Sequence, residues 1–406
     1  MKKLVNIIFS QEFVLMLFLN AGFYKSVIPI NNYLDLTILT MLFSISLASI
    51  TVLKQAKIKK MRLNFILLFC FFTLLIFISL FHTPNFGSGL YKALNFAVIG
   101  GWSFLAPLFI ISNLTSLERF LHSYLILGLI TGLETFRVHF GNLSSFSQDL
   151  IFGSDYLAVG RVLGYCICIV ISAIILNERK TIDLLLSLVL LFIFVTALML
   201  TGGRGPLVAI LVASFLIIIK QTNLNYRKGV IKYNKKAVIG LFTLFASVIY
   251  FFLSDNLIFN QLKIRLSHFS DANGGDSVSG RLSRFDVAFE MIKSKPIFGS
   301  GIDSFSYFTG APENYPHNIF LEIFSELGII GLMSFILLIS SALLKFPYKS
   351  LTLKSKYQNI SWSIFAMFIF SLINANISGN IQGNRITFAL CAILVAFSDI
   401  YKRDSQ

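Results

Sequence analysis

Charge is what this chain has least of. Asp, Glu, Lys and Arg together make up 13% of its 406 residues, about half the share found in soluble globular domains. That scarcity excludes an ordinary water-soluble fold, because most of a solvated surface would have nothing polar to show. The balance lies with 56% hydrophobic residues and a mean hydropathy of +0.78, which places folding in lipid. Cysteine is also sparse. Cys70, Cys166, Cys168 and Cys391 all fall inside apolar segments, where a thiol behaves as a small hydrophobe, and Cys166 and Cys168 lack neighbouring ligands of other types for a zinc site. The first apolar run has no small-residue cleavage site and reads as a retained span.

Apolar runs recur along the chain. About twelve are long enough, or nearly so, to cross a hydrocarbon core of ~30 Å at 1.5 Å per helical residue. They cover residues 7–28, 33–53, 63–81, 91–112, 119–139, 157–176, 182–200, 205–219, 236–253, 318–344, 357–375 and 385–401. The expected fold is therefore all-α, a polytopic membrane protein forming a single integral membrane domain over residues 1–406. Lys54, Lys57, Lys59, Lys60 and Arg62 sit in the second connection; Lys220, Arg227, Lys228, Lys232, Lys235 and Lys236 in the eighth; Lys345, Lys349, Lys354 and Lys356 in the tenth. Short cytoplasmic loops collect such cations, so these connections and both termini are expected in the cytoplasm. Topology thus accounts for most of the net charge of +15. No basic stripe interleaved with aromatics is left over to suggest a nucleic-acid partner.

One connection differs from the rest. Residues 254–316, between the ninth and tenth runs, form an expected extracytoplasmic loop of about sixty residues, and long loops of this kind are usually functional or disordered. Ser270 to Ser277 is polar and turn-rich. Leu282, Phe285, Phe289 and Ile292 then follow at helical spacing, up to Lys295-Pro296. This predicts an amphipathic helix whose apolar face rests on the bundle or on the membrane surface. Gly299-Ser300-Gly301 superficially matches a dinucleotide-binding pattern, but no third glycine stands at the required offset and no strand precedes it. It reads as a turn.

Two places carry side chains that an apolar environment does not explain. Thr201-Gly202-Gly203-Arg204-Gly205-Pro206 precedes an eighth run of only about fifteen residues, ~22 Å of helix, so the break is expected below the membrane surface. A guanidinium at that depth costs ~2.5–3.5 kcal/mol unless it reaches water, a partner or an anion. Arg204 either snorkels to headgroups or serves an anion site, for which the glycines open room. The second place is Pro316-His317-Asn318, where an imidazole stands at the start of the tenth run. Glu322 and Glu326 follow one helical turn apart, and two carboxylates within an apolar run should face the bundle interior. Glu134 with Arg137, and Asp155 with Arg161, read as further intramembrane or interfacial pairs.

Taken together, Thr201-Gly202-Gly203-Arg204-Gly205, Gly280-Arg281-Leu282, Pro296-Ile297-Phe298-Gly299-Ser300-Gly301, and His317-Asn318 with Glu326, Gly328 and Gly331 resemble the O-antigen polymerase and ligase superfamily of bacterial membrane glycosyltransferases. The likeness covers the stretch from Thr201 to Gly331 best; the N-terminal half shares only hydropathy. Phe285 stands where the family often has tryptophan, another aromatic anchor. The resemblance implies transfer of a glycan from undecaprenyl diphosphate, at the outer face of the bacterial inner membrane, to an acceptor hydroxyl. Polymerases use another lipid-linked repeat unit as acceptor, and ligases use the lipid A core. It further implies that His317 is the base and that Arg204 and Arg281 hold the diphosphate.

Those residue types suit that reaction. A departing diphosphate gathers negative charge, which two guanidiniums can stabilise by bidentate hydrogen bonds, and an imidazole titrating near neutrality can take the acceptor's proton. No cofactor or metal is expected, and the missing Asp-x-Asp signature argues against a metal-dependent nucleotide-sugar enzyme. Asn318 either orients His317 or caps the helix. Glu326 either meets an arginine of the site or ties helices together. Arg161 is a lesser candidate for lipid-phosphate contact, and Arg265 and Arg284 either line the external cavity or bind headgroups. The expected partners are the lipid-linked donor, an acceptor glycan lipid, membrane lipid and a chain-length regulator. Polymerase is the first reading, on the Asn318 to Glu322 region, and ligase the alternative. A flippase or transporter would also suit about twelve spans, but the hydropathy does not divide into two similar halves.

Overall fold

A computed structural model describes residues 2–24, 35–55, 60–141, 151–176, 181–221, 223–225, 230–232, 276–311, 314–351 and 356–404. The run expected at 236–253, Arg265, and the polar turn from Ser270 to Gly275 lie outside them. The described residues are almost entirely helical. The chain opens with α1 (Lys2–Ile8), α2 (Gln11–Leu19) and α3 (Ala21–Tyr24), followed by α4 (Leu36–Gln55) and α5 (Lys60–Ser79). α6 (Phe86–Asn95) continues through a π turn at Phe96–Gly100 into α7 (Gly101–Ile110). Next come α8 (Leu114–Gly141), α9 (Tyr156–Leu176), α10 (Thr181–Thr201) and α11 (Arg204–Gln221). A small antiparallel ribbon pairs β1 (Asn223–Asn225) with β2 (Val230–Lys232), Asn223 opposite Lys232. α12 (Asp276–Ser294), α13 (Ser304–Thr309), α14 (Ile319–Lys345), α15 (Lys356–Ser378) and α16 (Arg385–Asp404) complete it.

Among the described residues, 7 helices are long and apolar enough to cross a membrane. They match the runs expected at 33–53, 63–81, 91–112, 157–176, 182–200, 318–344 and 357–375. The others depart for visible reasons. The run at 7–28 is not one rod: Ser10 caps α2 by accepting from Phe13 N–H at 3.2 Å, and Asn20 ends it. α8 carries Glu118, Arg119, Glu134 and Arg137, and α16 carries Arg385, Asp399, Lys402, Arg403 and Asp404, which lowers their hydropathy. α11 is the short apolar helix that the sequence suggested.

The chain forms two compact units. The first comprises residues 1–40, 115–268 and 347–371. Its centre is α9, 83% buried, against 28% for the α4 span. Glycine explains how neighbours come so close to it. A Cβ on Gly164 would stand 2.1 Å from the Phe370 ring, and one on Gly128 of α8 would stand 2.3 Å from Cys166 Sγ. Small residues one turn apart let apolar helices approach where lipid supplies no hydrophobic drive. Several polar groups in this interior are paired: Tyr165 Oη donates to Ser371 Oγ at 3.0 Å, and the Cys166 thiol donates to Tyr124 O. Buried Glu12 takes two hydrogen bonds from Arg119, at 3.0 and 2.8 Å.

The second unit comprises residues 41–114, 269–346 and 372–406. Its core is phenylalanine. Phe69 lies flat on Phe104, centroids 4.1 Å apart, and also stacks on Phe96; Phe388 stands edge-on to Phe69 and Phe96, Phe72 edge-on to Phe96, and Phe335 tilted against Phe72. α14 packs on α5, α12 and α16, and α16 packs on α7. Cations gather at one end: Arg62 pairs with Asp399 at 2.6 Å and donates to Leu108 O, Arg403 donates to Ser112 O, and Lys345 lies over the Phe65 ring.

Candidate functional site

α14 is continuous in outline but broken inside. At Gly328 the backbone takes φ 67°, ψ −169°, a conformation only glycine adopts readily. The break frees N–H and C=O groups that buried backbone must satisfy, and the segment before α13 supplies the partners. Ile329 N–H donates to Pro296 O at 2.9 Å and Ile330 N–H to Ile297 O at 3.4 Å; Ser300 N–H donates to Ser325 O at 3.0 Å and Gly301 N–H to Glu326 O at 2.9 Å. Backbone enters backbone here, so side chains are excluded. A Cβ on Gly299 would stand 2.4 Å from Glu326 O, and one on Gly328 would stand 2.2 Å from Ile297 O. The Pro296 to Gly301 run, read from sequence as a turn, is therefore the plug for a broken helix. Its far side reaches the turn after α5, where Thr83 Oγ1 donates to Ile302 O at 2.7 Å.

His317 stands just ahead of α14. Pro316 is buried, His317 itself has φ 58°, and the Tyr315 ring lies 4.2 Å from the imidazole. A left-handed conformation costs a non-glycine residue of order 1 kcal/mol or more and persists only where neighbours hold it. Asn318 is one holder: its Oδ1 accepts from Phe320 N–H at 3.0 Å and Leu321 N–H at 3.1 Å, which caps α14. Of the two roles open to Asn318, capping is the one seen.

Upstream, Arg284 of α12 donates from Nε to Asn314 Oδ1 at 3.0 Å, and the same oxygen accepts Tyr315 N–H. Arg284, expected at headgroups or a cavity wall, thus anchors the strand that leads into His317. Arg281 lies one turn earlier on α12 and is half-buried. The buried face of this helix differs from the expected one. Ala288 and Met291 pack with Phe305, while Leu282 and Phe289 are exposed. Small Ala288 permits close contact with Phe305, and the larger Leu282 and Phe289 stay outside that contact.

In the first unit, α10 ends with Thr201 Oγ1 donating to Leu198 O and accepting Gly203 N–H, Gly202 takes φ 67°, and Arg204 begins α11. Pro206 fills the space left by Gly160, where a Cβ would stand 2.8 Å from its ring. That contact brings the turn of α9 carrying Arg161 to the turn after Arg204. Asp155 caps α9 by accepting Ala158 N–H at 2.7 Å, and Glu134 pairs with Arg137 at 2.6 Å on an exposed face.

The fate of the two buried glutamates is decided by a residue that sequence reasoning missed. Lys92 Nζ lies 2.8 Å from Glu322 Oε1, 2.9 Å from Glu326 Oε2 and 3.7 Å from Asp303 Oδ1. Glu326 meets this lysine, and Glu322 also accepts Ile381 N–H at 2.7 Å. A signal was present: two acids in an apolar run require a cation, and Lys92 stands alone in another such run. Its place is ~9 Å into the span that begins at Phe86, counting six residues of rise.

Repeated apolar helices, charge confined to pairs and ends, and glycine-mediated close packing define a multi-pass membrane protein. Within it, residues 189–336 match the family model described as O-antigen ligase, which supports the likeness to the O-antigen polymerase and ligase superfamily and a ligase- or polymerase-type activity on lipid-linked glycans. The matched stretch contains Arg204, Arg281, His317, Asn318 and Glu326. No curated protein is significantly similar to the chain.

Proposed function

We propose that the protein is a glycosyltransferase of the bacterial inner membrane, with both termini cytoplasmic, that moves a glycan from undecaprenyl diphosphate to an acceptor hydroxyl on the extracytoplasmic side. His317 takes the hydroxyl proton as the oxygen attacks the anomeric carbon. The bond from that carbon to the diphosphate oxygen breaks, its electron pair leaves on the phosphate, and configuration inverts. Arg204 and Arg281 receive the new charge. The observation that carries this reading is that one family-matched stretch holds all three side chains. Two local features support the roles. A backbone held in the left-handed region at His317 is a strain often kept at functional sites. Arg204 opens α11, where the helix dipole disfavours a cation and favours an anion, so a phosphate there relieves both.

We read the acceptor as another lipid-linked repeat unit, making the enzyme a polymerase; transfer to lipid A core is the second reading, favoured by the description of the matching family. In membranes supplied with lipid-linked glycan, His317→Ala is expected to lower transfer ~100-fold or more, and Arg281→Lys to abolish most of it, with normal membrane insertion. Full transfer by His317→Ala would sink the assignment. Gene deletion separates the acceptors: single repeat units on the normal anchor mark a lost polymerase, and long chains left on the carrier lipid mark a lost ligase.

A further inference from the structure

The Lys92 cluster has no part in the chemistry just described, yet it is the most fully buried set of charges in the second unit. Glu322 and Glu326 are 0% exposed and Lys92 is 6% exposed. Lys92 is 234 residues from Glu326 in sequence, and its own carbonyl accepts Gln382 Nε2 at 3.3 Å. Through one ammonium and two carboxylates, α6, the first turns of α14 and the Ile381-Gln382 turn before α16 are bound together. Apolar packing of similar volume would stabilise such a junction as well or better, because each buried ion must be stripped of water. What the ions add is direction: the ammonium meets both Glu326 oxygens, at 3.0 and 2.9 Å, and Glu322 Oε1 at 2.8 Å, while Glu322 Oε2 accepts Ile381 N–H.

The chain from Glu322 to His317 transmits that direction. Glu322 N–H donates to Asn318 O at 2.9 Å, closing the first helical turn, while the Asn318 side chain holds the next two N–H groups. Between cap and imidazole stands only His317 itself, its backbone in the left-handed region after Pro316 and its ring against Tyr315. Rotation or sliding of this turn therefore carries the ring with it.

We infer that Lys92 is a positioning residue for His317, acting through Glu322 and Glu326 to set the rotation and depth of the helix start that presents the imidazole to an acceptor hydroxyl. The inference rests on reading His317 as the base. A displacement near 1 Å at a catalytic group costs about 100-fold, so Lys92→Met should lower kcat by about 30-fold or more while the KM for the lipid-linked donor stays within about 2-fold.

The test uses the full chain in proteoliposomes with lipid-linked glycan. Because Lys92→Met strands two carboxylates and can unfold the unit, it is paired with the neutral variant Lys92→Met/Glu322→Gln/Glu326→Gln. That variant should recover the thermal midpoint of the native protein while kcat remains low. If it recovers both, Lys92 serves stability alone and the proposal is overturned. A second readout does not depend on activity: His317→Cys is labelled with a membrane-impermeant maleimide, with and without the neutral triple change. An increase in labelling rate of about 5-fold supports a loosened turn; an unchanged rate overturns the proposal. Failure of the underlying assignment is recognised separately, because His317→Ala would then retain transfer whatever the labelling shows.

Discussion

The family-matched stretch contains two glycine-made helix breaks, and they are finished in opposite ways. At Gly328 the interruption is sealed by four backbone hydrogen bonds from the 296–301 segment, with glycine on both sides because no Cβ fits. At Gly202 and Gly203 it is closed within its own turn, by the Thr201 hydroxyl together with Gly202 N–H to Met199 O and Leu207 N–H to Gly203 O, and the chain restarts on half-buried Arg204. A Cβ on Gly203 would meet nothing nearer than Thr201 Oγ1 at 3.4 Å. Glycine in the first case is demanded by another backbone. In the second it supplies the turn, with Gly202 at φ 67°. Breaks that look alike in sequence thus differ: one is locked by a second stretch of backbone, and the other is closed within its own turn.

This contrast can be broken by substitution. Gly328→Ala or Gly299→Ala should cost ~3 kcal/mol or more, since positive φ and backbone collision add; thermal unfolding in detergent would show loss of the native transition, and a normal midpoint would mean the plug is not tight. Arg204→Lys should leave that midpoint unchanged but reduce transfer on the order of 100-fold, because an ammonium cannot reproduce a bidentate fork. Kinetics with lipid-linked donor check it, and equal activity would reduce Arg204 to a headgroup contact. The smallest effect belongs to Gly203→Ala, expected within ~1 kcal/mol. A large loss there would mean a contact tighter than the ordinary van der Waals spacing around Gly203.

Much of this was legible before any coordinates. Seven expected spans reappear because hydropathy and length are local properties, and the short helix after Arg204 was visible for the same reason. Interior placement of Glu322 and Glu326 followed from the cost of a charge in lipid. The buried face of α12 did not follow. Leu282, Phe285, Phe289 and Ile292 are the larger apolar residues at helical spacing, but size alone does not say which of them meet protein. The contact went to Ala288 and Met291. Asn318 carried two plausible roles until its bonds to Phe320 and Leu321 gave it the cap.

From the amino acids alone came the all-helical membrane class, the places where helices must break, and the candidates Arg204 and His317, because each reflects a local cost of placing polarity or glycine in lipid; Arg281 came only from the family resemblance. Only the folded chain assigned Lys92 to Glu322 and Glu326, Arg284 to Asn314, and the 296–301 backbone to the gap at Gly328. Those pairings join residues far apart in sequence. Local spacing says that a buried carboxylate or an interrupted helix needs a partner, but packing in three dimensions decides which partner arrives.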